Sequence, residues 1–270
     1  MLECRRRMQT FTSTDGYRIA FDVTGRGPAI VLHLGAGCDA NLWPEAGYLE
    51  PLARHYQCLL IDHRGHGQSD KPRGGKAHHF DRYVDDVVTM LDHLNIERTA
   101  FWGYSTGISV GIRFGERFPD RLTALIGSGA MTDDDPESMN DWAMSMVPLL
   151  REEGWAPLLR GFDGEEATVA VPPWMREWIA ATDIENFIGW LEGMPEWDWW
   201  EWDALLKLDV PTLLIAGELE DPDDSNGRAV SAMARARRAR VPARGHINAF
   251  LASDVVLPHV LQFLSTLVSS

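Results

Sequence analysis

The stretch Ala100-Phe101-Trp102-Gly103-Tyr104-Ser105-Thr106-Gly107 decides the fold class of this chain. An apolar run stops at a glycine, and a helical pattern resumes directly afterwards and continues to Phe118. This is the form of a buried strand that turns sharply into a helix. A side chain at the apex of so tight a turn has strained backbone angles, so the positions two residues to either side must be small. Gly103 and Gly107 meet that requirement. The turn projects the Ser105 hydroxyl above a sheet edge, beside backbone N–H groups that open the helix and can stabilise an oxyanion. Ser105 is therefore a candidate nucleophile. A glycine-rich turn that binds phosphate has the same five-residue form, and only partners elsewhere in the chain separate the two.

Outward from this turn, short apolar runs alternate with helical patterns. Phe11 to Val23 alternates as a hairpin with Asp15-Gly16 at its turn. Ala29 to His33 is a buried strand closed by Gly35-Ala36-Gly37, and Cys58 to Asp62 is another closed by Arg64-Gly65-His66-Gly67. Val84, Val87, Val88, Leu91 and Leu94 mark a helix within Phe80 to Leu94, and the strand at Thr99 to Trp102 follows. Leu122 to Ile126 and Thr212 to Ala216 complete the set, with a shorter one at Ala239 to Val241. Parallel strands need crossover connections, so the pattern predicts an α/β fold: a doubly wound, mostly parallel sheet covered on both faces.

Composition marks an insertion in that frame. The 270 residues carry a formal net charge of −15, which argues against a nucleic-acid partner. Residues 131–205 hold 18 Asp and Glu against Arg151, Arg160 and Arg176, so the remainder of the chain is close to neutral. The same segment contains nine of the 11 Trp and six of the 10 Met. These shifts predict a core formed by residues 1–130 and 206–270, with 131–205 as a helical, Trp-rich, acidic cap over the C-terminal edge of the sheet, where such folds bind ligands. No stretch approaches the roughly 20 apolar residues of a membrane helix, and Arg5-Arg6-Arg7 is not followed by the apolar segment of a secretory signal. Cys4, Cys38 and Cys58 have neither disulfide-framework nor metal-ligand spacing. Reduced thiols, a cytoplasmic location, no membrane partner, and no metal or cofactor are the expectations.

A serine nucleophile needs a base, because its hydroxyl must lose a proton as it attacks. Among nine histidines, His246 in Arg244-Gly245-His246-Ile247-Asn248 lies after a strand and before the last helical segment, where a loop side chain can reach across the sheet edge. The other histidines are expected to be solvated. The base needs an orienting carboxylate, and Thr212 to Ala216 runs into Gly217-Glu218-Leu219-Glu220-Asp221-Pro222. Asp221, short and fixed before a proline, is the favoured acid, with Glu220 its competitor; Asp133, Asp134 or Asp135 is a further source. The loop His33-Leu34-Gly35-Ala36-Gly37 is the candidate oxyanion loop, pairing the Gly35 N–H with that of Thr106. The chain order serine, acid, histidine differs from the trypsin and subtilisin orders.

On these residues the chain resembles the α/β-hydrolase superfamily. The resemblance rests on His33 to Gly37, on Asp62-His63-Arg64-Gly65-His66-Gly67-Gln68-Ser69-Asp70, on Gly103 to Gly107, on Glu218 to Pro222 and on Gly245-His246, in order and across most of the chain. It implies a capped serine hydrolase with Ser105, an acid and His246 as its triad, and a structural rather than catalytic turn at Asp62 and Arg64. Three departures stand out. Leu34 follows His33 where the family commonly has glycine, Ile108 stands where a further glycine follows the elbow, and the family's acid position falls on Glu220 rather than Asp221. A serine at the elbow also sets the chain apart from the branches that attack with aspartate.

The cap residues Trp197, Trp199, Trp200 and Trp202, with Trp174, Trp178 and Trp190, provide rings for packing against the core and for a substrate roof. Trp142, Met144, Met146, Trp174 and Trp178 are the candidate substrate contacts. The expected activity is cleavage of a small, uncharged, hydrophobic carboxylic ester or lactone through an acyl-enzyme. C–C bond hydrolases of dienoic diketones and cofactor-free haloperoxidases have similar residues, and a receptor-like binding protein is the non-catalytic alternative.

Overall fold

A computed structural model describes residues 7–129, 136–162, 170–197 and 201–268. Eight strands form one sheet: β1 (Gln9–Thr12), β2 (Arg18–Thr24), β3 (Ala29–His33), β4 (Gln57–Asp62), β5 (Thr99–Tyr104), β6 (Leu122–Ser128), β7 (Thr212–Gly217) and β8 (Ala236–Val241). Their spatial order is β1-β2-β4-β3-β5-β6-β7-β8. β1 and β2 form the antiparallel hairpin at one edge, and every pairing from β4 to β8 is parallel. The fold is α/β with a mostly parallel sheet. The strands run longer than the apolar runs alone suggest, because polar or small residues such as Gln57, Tyr104 and Ser128 still pair in the ladder.

The helices are α1 (Leu42–Glu45), α2 (Leu49–Ala53), α3 (Phe80–His93), α4 (Thr106–Arg117), α5 (Pro136–Glu153), α6 (Ala156–Phe162), α7 (Pro173–Ala180), α8 (Ile184–Gly193), α9 (Glu201–Leu206), α10 (Ser225–Ala232), α11 (His246–Leu251) and α12 (Ser253–Val268). Alternate strand residues point to opposite faces, and here both faces are buried. Val31, Leu59, Ile61, Phe101 and Leu125 pack with α3 and α4 in one apolar cluster. Leu32, Leu60, Trp102, Ile126 and Ile215 pack on the other face with residues of α5, α7, α8, α11 and α12. Continuous apolar strand sequences follow from burial on both sides.

Helices α5–α9 lie between β6 and β7. They meet the rest of the molecule through small residues. The Cα of Gly193 at the end of α8 lies against Gly75, so that a Cβ on Gly75 would fall 2.6 Å from it. Gly189 of the same helix packs on the His78 ring, and Arg73 pairs with Asp183, the N-cap of α8, at 3.0 Å. Among the described residues no helix is long and apolar enough to cross a membrane.

Candidate active site

Ser105 sits between β5 and α4 with φ 56° and ψ −130°, a conformation that costs an L-residue about 1–3 kcal/mol. The surroundings enforce it. Ser105 N–H donates to the Ser128 carbonyl at 2.9 Å, and its own carbonyl accepts Ile108 N–H at 2.8 Å. The flanking glycines are required by close backbone approach: a Cβ on Gly103 would lie 2.2 Å from the Gly107 carbonyl oxygen, and one on Gly107 would lie 2.3 Å from that of His33. By helix geometry the Thr106 and Gly107 N–H groups that open α4 have no intrahelical acceptor, an arrangement suited to binding an anion.

The loop after β3 passes directly over this turn. Gly35 is buried, and a Cβ there would fall 2.5 Å from Ser105 Cβ and 2.9 Å from its Oγ. The two segments expected to supply oxyanion donors therefore meet at the serine hydroxyl. Leu34, where the family resemblance expects glycine, is buried in the core and does not displace Gly35 from that contact.

His246 opens α11, and its Nδ1 lies 2.5 Å from Glu220 Oε1. Its ring stacks on Tyr104, the residue before Ser105, with centroids 4.9 Å apart and planes 22° apart. Glu220 Oε2 accepts the Gly217 N–H at 3.1 Å, which holds the carboxylate at the end of β7. Gly129, just beyond β6, leaves room for the pair: a Cβ there would come 3.4 Å from Glu220 Oε1 and 3.6 Å from His246 Cε1. Tyr104 and Gly129 escape sequence reasoning because neither carries a distinctive chemical group; their position is the signal.

In this geometry the carboxylate that meets His246 is Glu220, not the favoured Asp221. Asp221 is buried but turned the other way: its Oδ1 accepts the backbone N–H of Ser225 at 2.6 Å and the Ser225 hydroxyl at 2.7 Å. Its Oδ2 accepts Asn226 N–H at 3.3 Å, so the side chain caps α10. Glu220, longer by one methylene, reaches His246. Asp133, Asp134 and Asp135 lie outside the described residues, as do Trp199, Trp200 and Cys4.

The expectation of solvated histidines also fails for several. His33, His63, His66 and His78 are buried, with the first three rings in a stack: centroids are 5.1 Å apart for His33–His63 and 3.8 Å for His63–His66. Desolvation pulls His33 and His78 down to about 4 and His66 to about 3, and holds His63 well below the usual imidazole range. All four are neutral members of the core. Asp62 and Arg64 fill the structural role expected of them: Asp62 accepts Ala40 and Gln68 N–H groups, and Arg64 is buried between Asp86 and Asp15.

The candidate substrate contacts divide. In α5 the buried face is Ala143, Val147 and Leu150, with Met146 half-buried beside it. Trp142 and Met144 are instead 41% and 39% exposed, because the helical period carries them off that face. Trp178 is buried and Trp174 half-buried, with centroids 6.4 Å apart. The side chains that reach the loop beside Ser105 are others: Ile179 Cγ2 and Trp155 Cη2 would lie 3.5 Å and 3.9 Å from a Cβ on Gly37. Helical spacing from Trp178 and Met175 places Ile179 on an inward face, but only the docked insertion sets it over Gly37. Among the described residues no group of three or more His, Cys, Asp or Glu is arranged to hold a metal ion.

The alpha/beta hydrolase fold family model matches residues 28–154. Uncharacterized proteins of Mycobacterium tuberculosis and Mycobacterium bovis are 38% identical over 127 residues, 46% of this chain and only 36% of their own length. A non-heme haloperoxidase from Rhodococcus erythropolis is 24% identical over 280 residues, covering 96% of this chain and 100% of that protein. Among solved structures, a thermophilic esterase from Thermogutta terrifontis superposes with a TM-score of 0.83 at 21% identity, covering 97% of this chain and 99% of the esterase. The enol-lactonase from Burkholderia xenovorans gives 0.77 at 24% identity, over 95% and 100%. Similar in sequence to that family over residues 28–154 and in structure along nearly its whole length, the chain has the α/β-hydrolase fold.

Proposed function

We propose that this protein is a cytoplasmic serine hydrolase that cleaves an uncharged, hydrophobic carboxylic ester or lactone through an acyl-enzyme. The observation that carries the proposal is the strained Ser105 packed against Gly35, with the His246–Glu220 pair at the ends of the neighbouring strands. In this reading His246 Nδ1–H donates to Glu220, and Nε2 takes the Ser105 proton as Oγ attacks the carbonyl carbon. The carbonyl π electrons move onto oxygen, and the Gly35 and Thr106 N–H groups hold that oxyanion. Collapse expels the alkoxide, protonated by His246, and leaves the acyl group on Ser105. Water, deprotonated by the same histidine, then releases the acid.

The helical insertion of residues 131–205 acts here as a cap. In this reading Trp174, Trp178 and Met146, with Ile179 and Trp155, line its inner side, and Trp142 and Met144, which face outward, are not substrate contacts. Its acidic composition disfavours anionic substrates through like-charge repulsion. The free, buried Cys38 and Cys58 fit a reducing compartment. Haloperoxidase activity is a second reading, supported by the Rhodococcus relative.

A p-nitrophenyl ester series and a lactone panel test the proposal. Wild-type protein is expected to turn over neutral esters and to be labelled by a fluorophosphonate, and Ser105→Ala to lose both. No turnover and no labelling of the wild type would sink it. Halide-dependent, peroxide-dependent halogenation without ester cleavage would favour the second reading.

A further inference from the structure

β3 ends at His33, so the backbone groups that follow have no ladder partner and must be satisfied in another way. At Gly37, two positions beyond Gly35, side chains from two separate parts of the molecule satisfy both. The Gly37 N–H donates to His66 Nε2 at 2.9 Å, and its carbonyl accepts the Thr182 hydroxyl at 3.0 Å. His66 belongs to the loop after β4, whereas Thr182 lies between α7 and α8 in the insertion. Gly37 itself has φ 80°, which only glycine adopts without strain.

Both side chains are fixed before they reach Gly37. His66 packs at 3.8 Å on His63, which stacks on His33, whose carbonyl abuts Gly107 of the elbow. Nε2 can accept only if Nδ1 carries the proton, and Nδ1 faces the Arg64 carbonyl at 3.4 Å. Burial pushes the His66 imidazole down to about 3, so it stays neutral wherever the enzyme works. Thr182 is fixed through its own carbonyl, which accepts Trp155 Nε1–H at 3.3 Å.

We infer that His66 and Thr182 are positioning residues that clamp Gly37 from the core and from the cap, and so hold the Gly35 N–H at the Ser105 oxyanion. The clamp makes the oxyanion hole depend on the seating of the cap, because one of its two jaws belongs to the insertion. This inference rests on the serine-hydrolase reading. A loop whose amides are held before the reaction stabilises charge without reorganising, which is the physical value of the arrangement.

Three variants test it. Thr182→Val removes only the hydroxyl. His66→Met removes the acceptor, and His66→Gln restores an acceptor oxygen near the Nε2 position. With p-nitrophenyl butyrate, Thr182→Val and His66→Met are expected to lower kcat roughly ten- to a hundredfold with KM within about threefold. Inhibition by a trifluoromethyl ketone, whose adduct with Ser105 carries the oxyanion, should weaken in proportion, and His66→Gln should recover most of both. Unchanged kcat in Thr182→Val and His66→Met overturns the clamp while leaving the hydrolase reading intact. So does a fall in kcat with unchanged ketone affinity. If His66→Met fails to fold, Thr182→Val and His66→Gln decide by the same two measurements. A wild type with neither turnover nor fluorophosphonate labelling overturns both the clamp and the reading beneath it.

Discussion

Glu220 and Asp221 carry the same charge one position apart, yet their carboxylates do different work. Asp221 accepts two backbone N–H groups at the start of α10, and Glu220 accepts the imidazole of His246. The division has a measurable consequence. Glu220→Gln should leave the fold intact but lower kcat by about 10³- to 10⁴-fold, because the amide no longer selects the imidazole tautomer or stabilises its charge. Asp221→Ala should do the reverse, lowering stability by about 1–3 kcal/mol through buried N–H groups left unpaired, with kcat within a few-fold. Ester kinetics and urea denaturation on the two variants decide the matter. A larger kcat loss in Asp221→Ala than in Glu220→Gln would return the acid role to Asp221. Sequence alone favours the shorter side chain before proline; the helix cap that occupies it forms only when α10 folds back onto β7.

The contact between α8 and the loop before α3 works at the scale of elements. Gly193 has helical backbone angles, φ −80° and ψ −24°, so alanine there would ordinarily favour the helix by about 1 kcal/mol. Its Cβ, however, would lie 2.8 Å from the Gly75 carbonyl oxygen, a contact that real Cβ atoms do not make. Gly193→Ala is therefore expected to destabilise the protein by about 1–3 kcal/mol and to increase proteolytic cleavage within the insertion. A raised melting temperature would show that the helix preference wins and that the two backbones are not in contact. Helical spacing makes α8 itself legible in the sequence, but a glycine at a helix end reads equally well as a stop signal. What distinguishes packing from punctuation is the partner, 118 positions away in the chain at Gly75.

The buried histidines set the acid response of the whole molecule. Between pH 6.5 and about 4 the unfolded chain protonates His33, His63, His66 and His78, whereas the fold keeps them neutral. Unfolding then takes up protons, so stability falls as the pH falls through that window. Asp62 and Asp86, pushed up to about 6 by burial, and Glu201, raised for the same reason, act in the opposite direction as they stay protonated in the fold. The histidines outnumber them and begin at higher pH. The urea midpoint should drop from pH 7 to pH 5, with a net slope on the order of 1–3 kcal/mol per pH unit. His78→Gln, which removes one such group, should flatten the slope by about 1 kcal/mol per unit. A midpoint that holds or rises on acidification would contradict this account.

The α/β class, the tight turn at Ser105 and a run of helices between β6 and β7 are legible in the sequence by itself, since each follows from local sterics, periodicity or composition, and His246 stands out there as the proposed base. Gly103 and Gly107 are small because the backbone closes on itself within five residues, and that need is written next to the residue it serves. Only the tertiary structure decided that Glu220 rather than Asp221 meets His246, that four histidines are core side chains, and that Trp142 and Met144 face outward. The same holds for the hold of His66 and Thr182 on Gly37 across the molecule. Each of these depends on which of several equally suited polar groups lies within about 3 Å of a partner far away in the chain, a distance set by packing and by no local pattern.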